Sequence, residues 1–374
     1  MKDTMGIILT RNQEVRLNEL TEIRDVSALP FGGRYRLIDF VLSNMVNSGI
    51  INVGIATQFN YSSLMDHVGT GKPWDLNRKA YGLFFLPPQV RLDVRGGVSV
   101  SGDVDILHGV LTYLHRSRQK YVVVASGNVV CSMTFDAALE AHKASGADIT
   151  VIYTNLAEND EQLSRSTTYC IDDSGRVKNI YHNQPNPKYT AAGMDMYIIE
   201  RALLQSLIEE AYAKGSHDFI TDILAANMNY YNIYAYRYDG FVSKVDSIRT
   251  YYNTSMNMLD TRIRHELFEG STPIYTKVKD QVPTKYLSNA KVKNSLIADG
   301  CVIDGTVENS IIFRGVHIGK DTVVKNSIVM QTTIIQDKCD LENVVIDKEC
   351  TLRSGKRLIG QPNFPFILPK RTLI

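Results

Sequence analysis

The sequence predicts an α/β protein in two parts. Residues 1–260 read as a Rossmann-like domain with a mostly parallel sheet, 261–285 as a linker, and 286–374 as a left-handed parallel β-helix of hexapeptide repeats. Three observations carry this expectation. Short aliphatic or β-branched runs alternate with helical patterns along the first 260 residues. Beyond about residue 285 the helical period gives way to a six-residue step. A chain of 374 residues with 44% hydrophobic content can also bury two cores.

The predicted strands of the first part are Gly6–Leu9, Asn52–Thr57, Tyr121–Ala125, Asp148–Tyr153, Met194–Ile199 and Asn232–Arg237. Helical spacing of apolar residues falls between them, over Arg36–Ser48, Asp105–Arg116, Thr134–Ser145 and Glu200–Ala213. Ligands of such open sheets bind beyond the carboxyl ends of the strands, so chemistry is expected in the loops after Leu9, Ala125 and Arg237. In the second part, six-residue steps join Val323, Val329, Ile335 and Leu341, with a second register at Ile312, Ile318 and Val324 and a third step from Ile297 to Ile303. The phrase Asn-Ser recurs at Asn294, Asn309 and Asn326 and continues at Asn343, at spacings of 15, 17 and 17 residues. Each spacing is close to three hexapeptides, one coil of a β-helix. Scattered antiparallel strands are the alternative reading of so loose a repeat. Pro362, Pro365 and Pro369 close the end, and the open edges of the coil predict cover by a neighbouring subunit.

Composition removes several function classes. Lys and Arg total 41 against 40 Asp and Glu, so a net charge of +1 gives no reason to expect nucleic acid or an anionic membrane as partner. The amino terminus lacks a signal-peptide core, and no apolar run approaches the roughly 20 residues of a membrane span. The cytoplasm is the expected location. Five cysteines, Cys131, Cys170, Cys301, Cys339 and Cys350, show no CxxC spacing, so packed, reduced thiols are expected rather than a zinc site or a disulfide framework.

The run Leu29-Pro-Phe-Gly-Gly-Arg-Tyr-Arg-Leu-Ile-Asp-Phe40, with Leu42-Ser-Asn44 and Asn47-Ser-Gly49 after it, resembles the glucose-1-phosphate adenylyltransferase (ADP-glucose pyrophosphorylase) family. Further echoes are Thr57-Gln58, Pro73-Trp-Asp-Leu76, Ser126-Gly127, Gly146-Ala-Asp148 and His217-Asp-Phe219. With the hexapeptide region they span nearly the whole chain. The resemblance implies a nucleotidyltransferase domain that joins ATP to glucose 1-phosphate with release of pyrophosphate, and a β-helix concerned with assembly and allosteric control. Such transfer depends on positioning and charge neutralisation: a glycine-rich loop, a lysine on the phosphates, and two acidic residues holding magnesium.

Position by position, those parts are altered. Residues 9–17 match the family's Leu-Ala-Gly-Gly-x-Gly-x-Arg-Leu only at Leu9, Arg16 and Leu17 and contain no glycine. A backbone cradle for a triphosphate needs positive φ and close approach. Arg11, Asn12 and Glu14 put side chains there instead, and Glu14 adds a negative charge facing a polyanion. The family's lysine-proline pair falls on Val26-Ser27. The magnesium-binding aspartate of Ser-Gly-Asp is Asn128, and the second acidic position falls on Lys244. An ammonium about 4 Å from a divalent cation, at an effective dielectric near 20, costs roughly 8 kcal/mol before relaxation. The sugar-phosphate lysine of Glu-Lys-Pro is Gln184, and of Gly-Thr-Ala-Asp-Ala only Gly102 and Asp105 survive, with Asp103 added. The expected set is therefore degenerate throughout, with no metal or other cofactor in this chain and magnesium only in a catalytic partner.

Several residues keep two readings. Lys244, Arg11 and Glu14 are either site replacements or solvated loop charges, and Asp246 takes over the metal role if its loop shifts register. Arg16, Arg34 and Arg36 either grip a phosphorylated effector or form salt bridges within the domain or at a subunit boundary. Trp74, with Gln58 nearby in sequence, either walls a sugar-nucleotide site or packs a corner. His217 reads as structural. The resemblance implies a non-catalytic regulatory subunit in glycogen synthesis, partnered by a catalytic adenylyltransferase, with a tetramer as the expected homo- or hetero-oligomer and a sugar phosphate or nucleotide as effector. An active adenylyltransferase with a rearranged metal site and a stand-alone sugar-phosphate sensor are the alternatives.

Overall fold

A computed structural model describes residues 1–10, 17–57, 60–87 and 102–374. Arg11, Asn12, Glu14, Arg16 and Gln58, all singled out by the sequence, lie outside the described residues.

In chain order the strands that frame the site are β1 (Thr4–Leu9), β2 (Asn52–Ala56), β3 (Gly82–Leu86), β4 (Tyr121–Ser126), β5 (Val129–Cys131), β6 (Ile149–Asn155), β7 (Thr167–Ile171), β8 (Val177–His182), β9 (Ala191–Glu200), β10 (Ile233–Arg237) and β11 (Val242–Lys244). The main helices are α1 (Ile38–Asn47), α2 (Ser62–Val68), α3 (Asp103–Gly109), α4 (Leu111–Arg116), α5 (Asp136–Ala144), α6 (Arg201–Ala213), α7 (Ile248–Asn257) and α8 (Thr261–Phe268). β3, β2, β1 and β4 pair in parallel, as do β6 and β10. The long β9 runs antiparallel between these blocks, pairing β4 on one side and β6 on the other. The sheet is thus mostly parallel, and its central strands are continuous aliphatic runs because both faces are covered.

Several elements differ from expectation. The single helix expected over Asp105–Arg116 is two, α3 and α4, because the backbone tightens at Val110, whose N–H bonds back three residues to the Leu107 carbonyl at 3.1 Å. The stretch expected as linker opens with α8, whose Asp260 side chain caps the amide of Arg262. Strand β3 and the hairpin β7–β8 are additions that the sequence reading did not contain.

The carboxyl-terminal region is a left-handed parallel β-helix of three sheets with five strands each. Its coils are in register from Lys291 through Thr306, Val323 and Asp340 to Arg357. The Asn-Ser phrase has a mechanical cause. Asn294, Asn309, Asn326 and Asn343 all hold positive φ at the same corner of successive coils, a backbone state that asparagine tolerates better than most residues. The neighbouring hydroxyls form a rung: Ser310 N donates to Ser295 Oγ, Ser327 N to Ser310 Oγ, and Val344 N to Ser327 Oγ, at 3.1–3.2 Å.

The two parts share a core. Phe31, Phe40, Tyr251 and Leu267 of the first pack with Ile311, Phe313, Ile328, Met330 and Val345 of the second. Two tyrosine hydroxyls seal it, Tyr251 donating to the Pro30 carbonyl at 2.7 Å and Tyr252 to that of Asn326 at 2.6 Å.

Candidate functional site

The mouth of the sheet lies where β1 and β4 end side by side. Leu9 pairs with Ser126, and Gly127 N donates to the Leu9 carbonyl at 2.9 Å. Gly127 permits a close approach: a Cβ there would stand 2.4 Å from Ser27 Oγ. Ser27 is therefore at the mouth, whereas Val26 beside it is buried in the core shared with the β-helix.

Asn128, only 3% exposed, is spent on structure. Its Oδ1 accepts from Ser126 Oγ at 2.6 Å, and its Nδ2 donates to the Val245 carbonyl at 2.8 Å, with Val245 N returning a bond to the Asn128 carbonyl. This lacing ties β4 to the end of β11, where β11 pairs with β5. Lys244 ends β11 and sits 2.6 Å from Asp195 Oδ2. Asp195 lies on a bulge of β9 between Gly193 and Met196, is 1% exposed at the side chain, and holds φ +52. The reading of Lys244 as a solvated loop charge is thereby corrected: it is largely buried and ion-paired with a residue 49 positions away that sequence reasoning did not single out. Asp246 is likewise engaged, accepting from Thr250 Oγ1 at 3.0 Å and pairing with Arg165 at 3.3 Å.

A divalent cation requires a set of oxygen donors free to turn toward it. Here the two positions offer an amide already bonded at both ends and an ammonium already paired, so these residues do not fit one.

The remaining candidates separate in space. Gly102 is extended, and its lack of a Cβ is required by the His217 carbonyl, which would lie 2.0 Å away. Asp105 stands 3.2 Å from His217 Nδ1, so both belong to a corner joining α3 to the segment before the π-helical turn Phe219–Ala225. Trp74 is 2% exposed, packed in the core edge-on to His67, which makes it the packed corner. Gln184 is half-buried in the loop after β8.

Arg34 and Arg36 leave the same hairpin in different directions. The turn Gly32-Gly33, with φ +56 and +84, seats the hairpin on the β-helix beside Ala298. Arg34 is exposed and borders an inter-part pocket of about 330 Å³ with Arg264 and Asp299. Arg36 Nη1 donates to the carbonyl and hydroxyl of Ser63 at 2.6 and 2.9 Å, fixing α2.

Behind Arg36 is a cationic cluster that sequence reasoning missed. Arg24, from the first part, pairs at 2.5 Å with the fully buried Asp347 of the β-helix, and its other terminal nitrogen is buried without a hydrogen bond among the described residues. Burial pulls Lys348 down to about 7, with Arg36 and Arg24 repelling its charge and Asp347 opposing. Burial likewise lowers Arg36 to about 10, Asp39 opposing and Arg24 adding to it. More than 300 residues separate Arg24 from Lys348, so no local pattern announces the cluster.

Residues 5–260 match the family model for nucleotidyl transferase, and residues 281–362 match that for a GlmU-like, C-terminal hexapeptide. The chain belongs to the nucleotidyl transferase family. Among its relatives is the "Glycogen biosynthesis protein GlgD" of Bacillus subtilis, 36% identical over 98% of this chain and 95% of that protein. The protein of that name in Geobacillus stearothermophilus is 41% identical over 86% of this chain and 82% of its own. A "Glucose-1-phosphate adenylyltransferase" of Thermosipho africanus is 35% identical over 87% and 78% respectively. Among the described residues no helix is long and apolar enough to cross a membrane.

Proposed function

We propose that this chain is a regulatory, catalytically degenerate subunit of glucose-1-phosphate adenylyltransferase in glycogen biosynthesis, acting on a catalytic homologue within a mixed oligomer, expected to be a tetramer. One observation carries the reading: the Lys244–Asp195 ion pair, 2.6 Å long and almost dry, occupies the end of β11 where transfer chemistry would need a carboxylate facing a metal. Asn128 supports it, since its amide is committed to Val245 and Ser126. The names of the relatives support the pathway.

The effector in this reading is a small phosphorylated anion, a sugar phosphate or nucleotide, bound at the Arg24, Arg36 and Lys348 cluster. A phosphate there would meet an unbonded guanidinium nitrogen and two further cations already depressed by burial. Because the cluster bridges both parts of the chain, its occupancy biases their mutual packing, and coupling of this kind typically amounts to about 1–3 kcal/mol.

The test measures ADP-glucose formation by a catalytic adenylyltransferase with and without this chain, and pyrophosphate release by this chain alone with ATP, glucose 1-phosphate and magnesium. Silence alone and a changed substrate affinity or maximal rate in the mixture are expected. Turnover by the isolated chain, or an unaltered partner, would overturn the proposal.

A further inference from the structure

On the far side of β11 from Lys244 lies a cleft of about 470 Å³ between the loop after β6 and the exposed face of α7. That volume falls within the range of small-molecule sites, about 300–1,000 Å³. None of Asn128, Gln184 and Lys244 lines it. Among the described residues its walls are polar, with Met256 the single apolar side chain.

Both cations of the cleft are paired, and Asp160 adds a further carboxylate whose Oδ1 accepts from Gln162 N at 2.8 Å. Arg249 Nη1 pairs with Glu161 at 2.5 Å, and Arg165 pairs with Asp246 at 3.3 Å. A phosphate would have to displace a carboxylate from one of these guanidiniums. Four side-chain amides are left over: Asn159 and Gln162 on the loop, Asn253 and Asn257 one turn apart on α7, none hydrogen-bonded to any described residue. Each amide presents a carbonyl acceptor beside two N–H donors. Two such groups at i and i+4 share a helix face, and here they look across the cleft at the other two. This is the complement of adjacent hydroxyls, which donate and accept at one atom.

We infer that this cleft is a binding site for a neutral, polyhydroxylated ligand of the oligosaccharide class, adjoining the degenerate centre through the Arg165–Asp246 pair and apart from the cationic cluster. The amides hold the hydroxyls, and the two ion pairs keep the guanidiniums from attracting phosphate. Binding draws the loop after β6 against α7. The choice of an α-1,4-glucan as probe rests on the proposed role in glycogen synthesis; the cleft itself does not.

The test titrates the full chain with maltotetraose, cellotetraose and glucose 1-phosphate by calorimetry, beside the double variant Asn253→Ala/Asn257→Ala. Both positions are exposed on the helix, so its melting temperature is expected to stay unchanged. Saturable binding of either tetrasaccharide, weakened by about tenfold or more in the variant, is expected. Amide hydrogen exchange in the native chain supplies a second readout, with residues 156–166 protected when the saccharide is present. Absence of saturable binding by both saccharides, binding indifferent to the double variant, no added protection of the loop, or tighter binding of glucose 1-phosphate than of the saccharides at this cleft would each overturn the assignment. The partner assay for regulation contains no oligosaccharide, so the two proposals fail separately.

Discussion

At the mouth of the sheet, one ion pair stands where the resemblance implies a metal-binding carboxylate, and its geometry predicts that a lone substitution is harmful. Asp195 is buried at a positive φ with Lys244 as its counter-charge. Lys244→Met removes that counter-charge, and breaking a buried pair by removing one partner costs about 3–5 kcal/mol, with the lower end expected because Lys244 retains 15% exposure. Asp195→Gly/Lys244→Met removes both charges and places glycine where the left-handed backbone favours it. Urea unfolding of both variants is expected to show the double variant more stable than the Lys244→Met single; equal or lower stability would show that the Asp195 carboxylate carries no penalty once Lys244 is gone. The sequence exposed Lys244 and Asn128 as misfits because each could be compared with an expected residue type. It could not supply Asp195, whose relevance comes from a bulge that turns it toward a strand 49 residues away. Trp74 shows the converse, an aromatic that stands out in composition yet is simply core.

Among elements, the β-helix was the most legible because its signal is repeated: the 15- and 17-residue spacings are the true coil registers, and each Asn-Ser phrase marks one corner. The hairpin β7–β8 and strand β3 lack repetition and flanking contrast, so nothing in their local sequence separated them from loop. The apolar spacing of α3 and α4 runs on through Val110 and spells one helix, while the backbone turns there. The serine rung allows a test. Ser327 is fully buried and accepts from Val344 N while its own amide donates to Ser310. Ser327→Ala leaves a buried N–H without its acceptor, a loss of about 1–3 kcal/mol. Asn326→Gly, at φ +46, is expected to be nearly neutral, whereas Asn326→Val forces a branched side chain into the left-handed region at about 1–2 kcal/mol. Calorimetric melting of the three variants checks the order.

For the whole molecule, the cationic cluster between the two parts sets a pH dependence. Lys348 has its folded value near 7 and its ordinary value at 10.5. Between them the unfolded chain holds the extra proton, so stability rises with pH through this window and the penalty of the buried charge is greatest below 7. Lys348→Met is therefore expected to raise the melting temperature more at pH 6 than at pH 9; an equal gain at both would exclude the titration. The two-part architecture itself was legible from texture alone, but the core and charges joining the parts were not, because they pair residues hundreds of positions apart. One consequence follows from Arg24 reaching out of the first part to clasp Asp347 of the second. A small oxyanion lodged beside that clasp would act as a rivet through both bodies, so the proposed effector would also make the chain harder to pull apart.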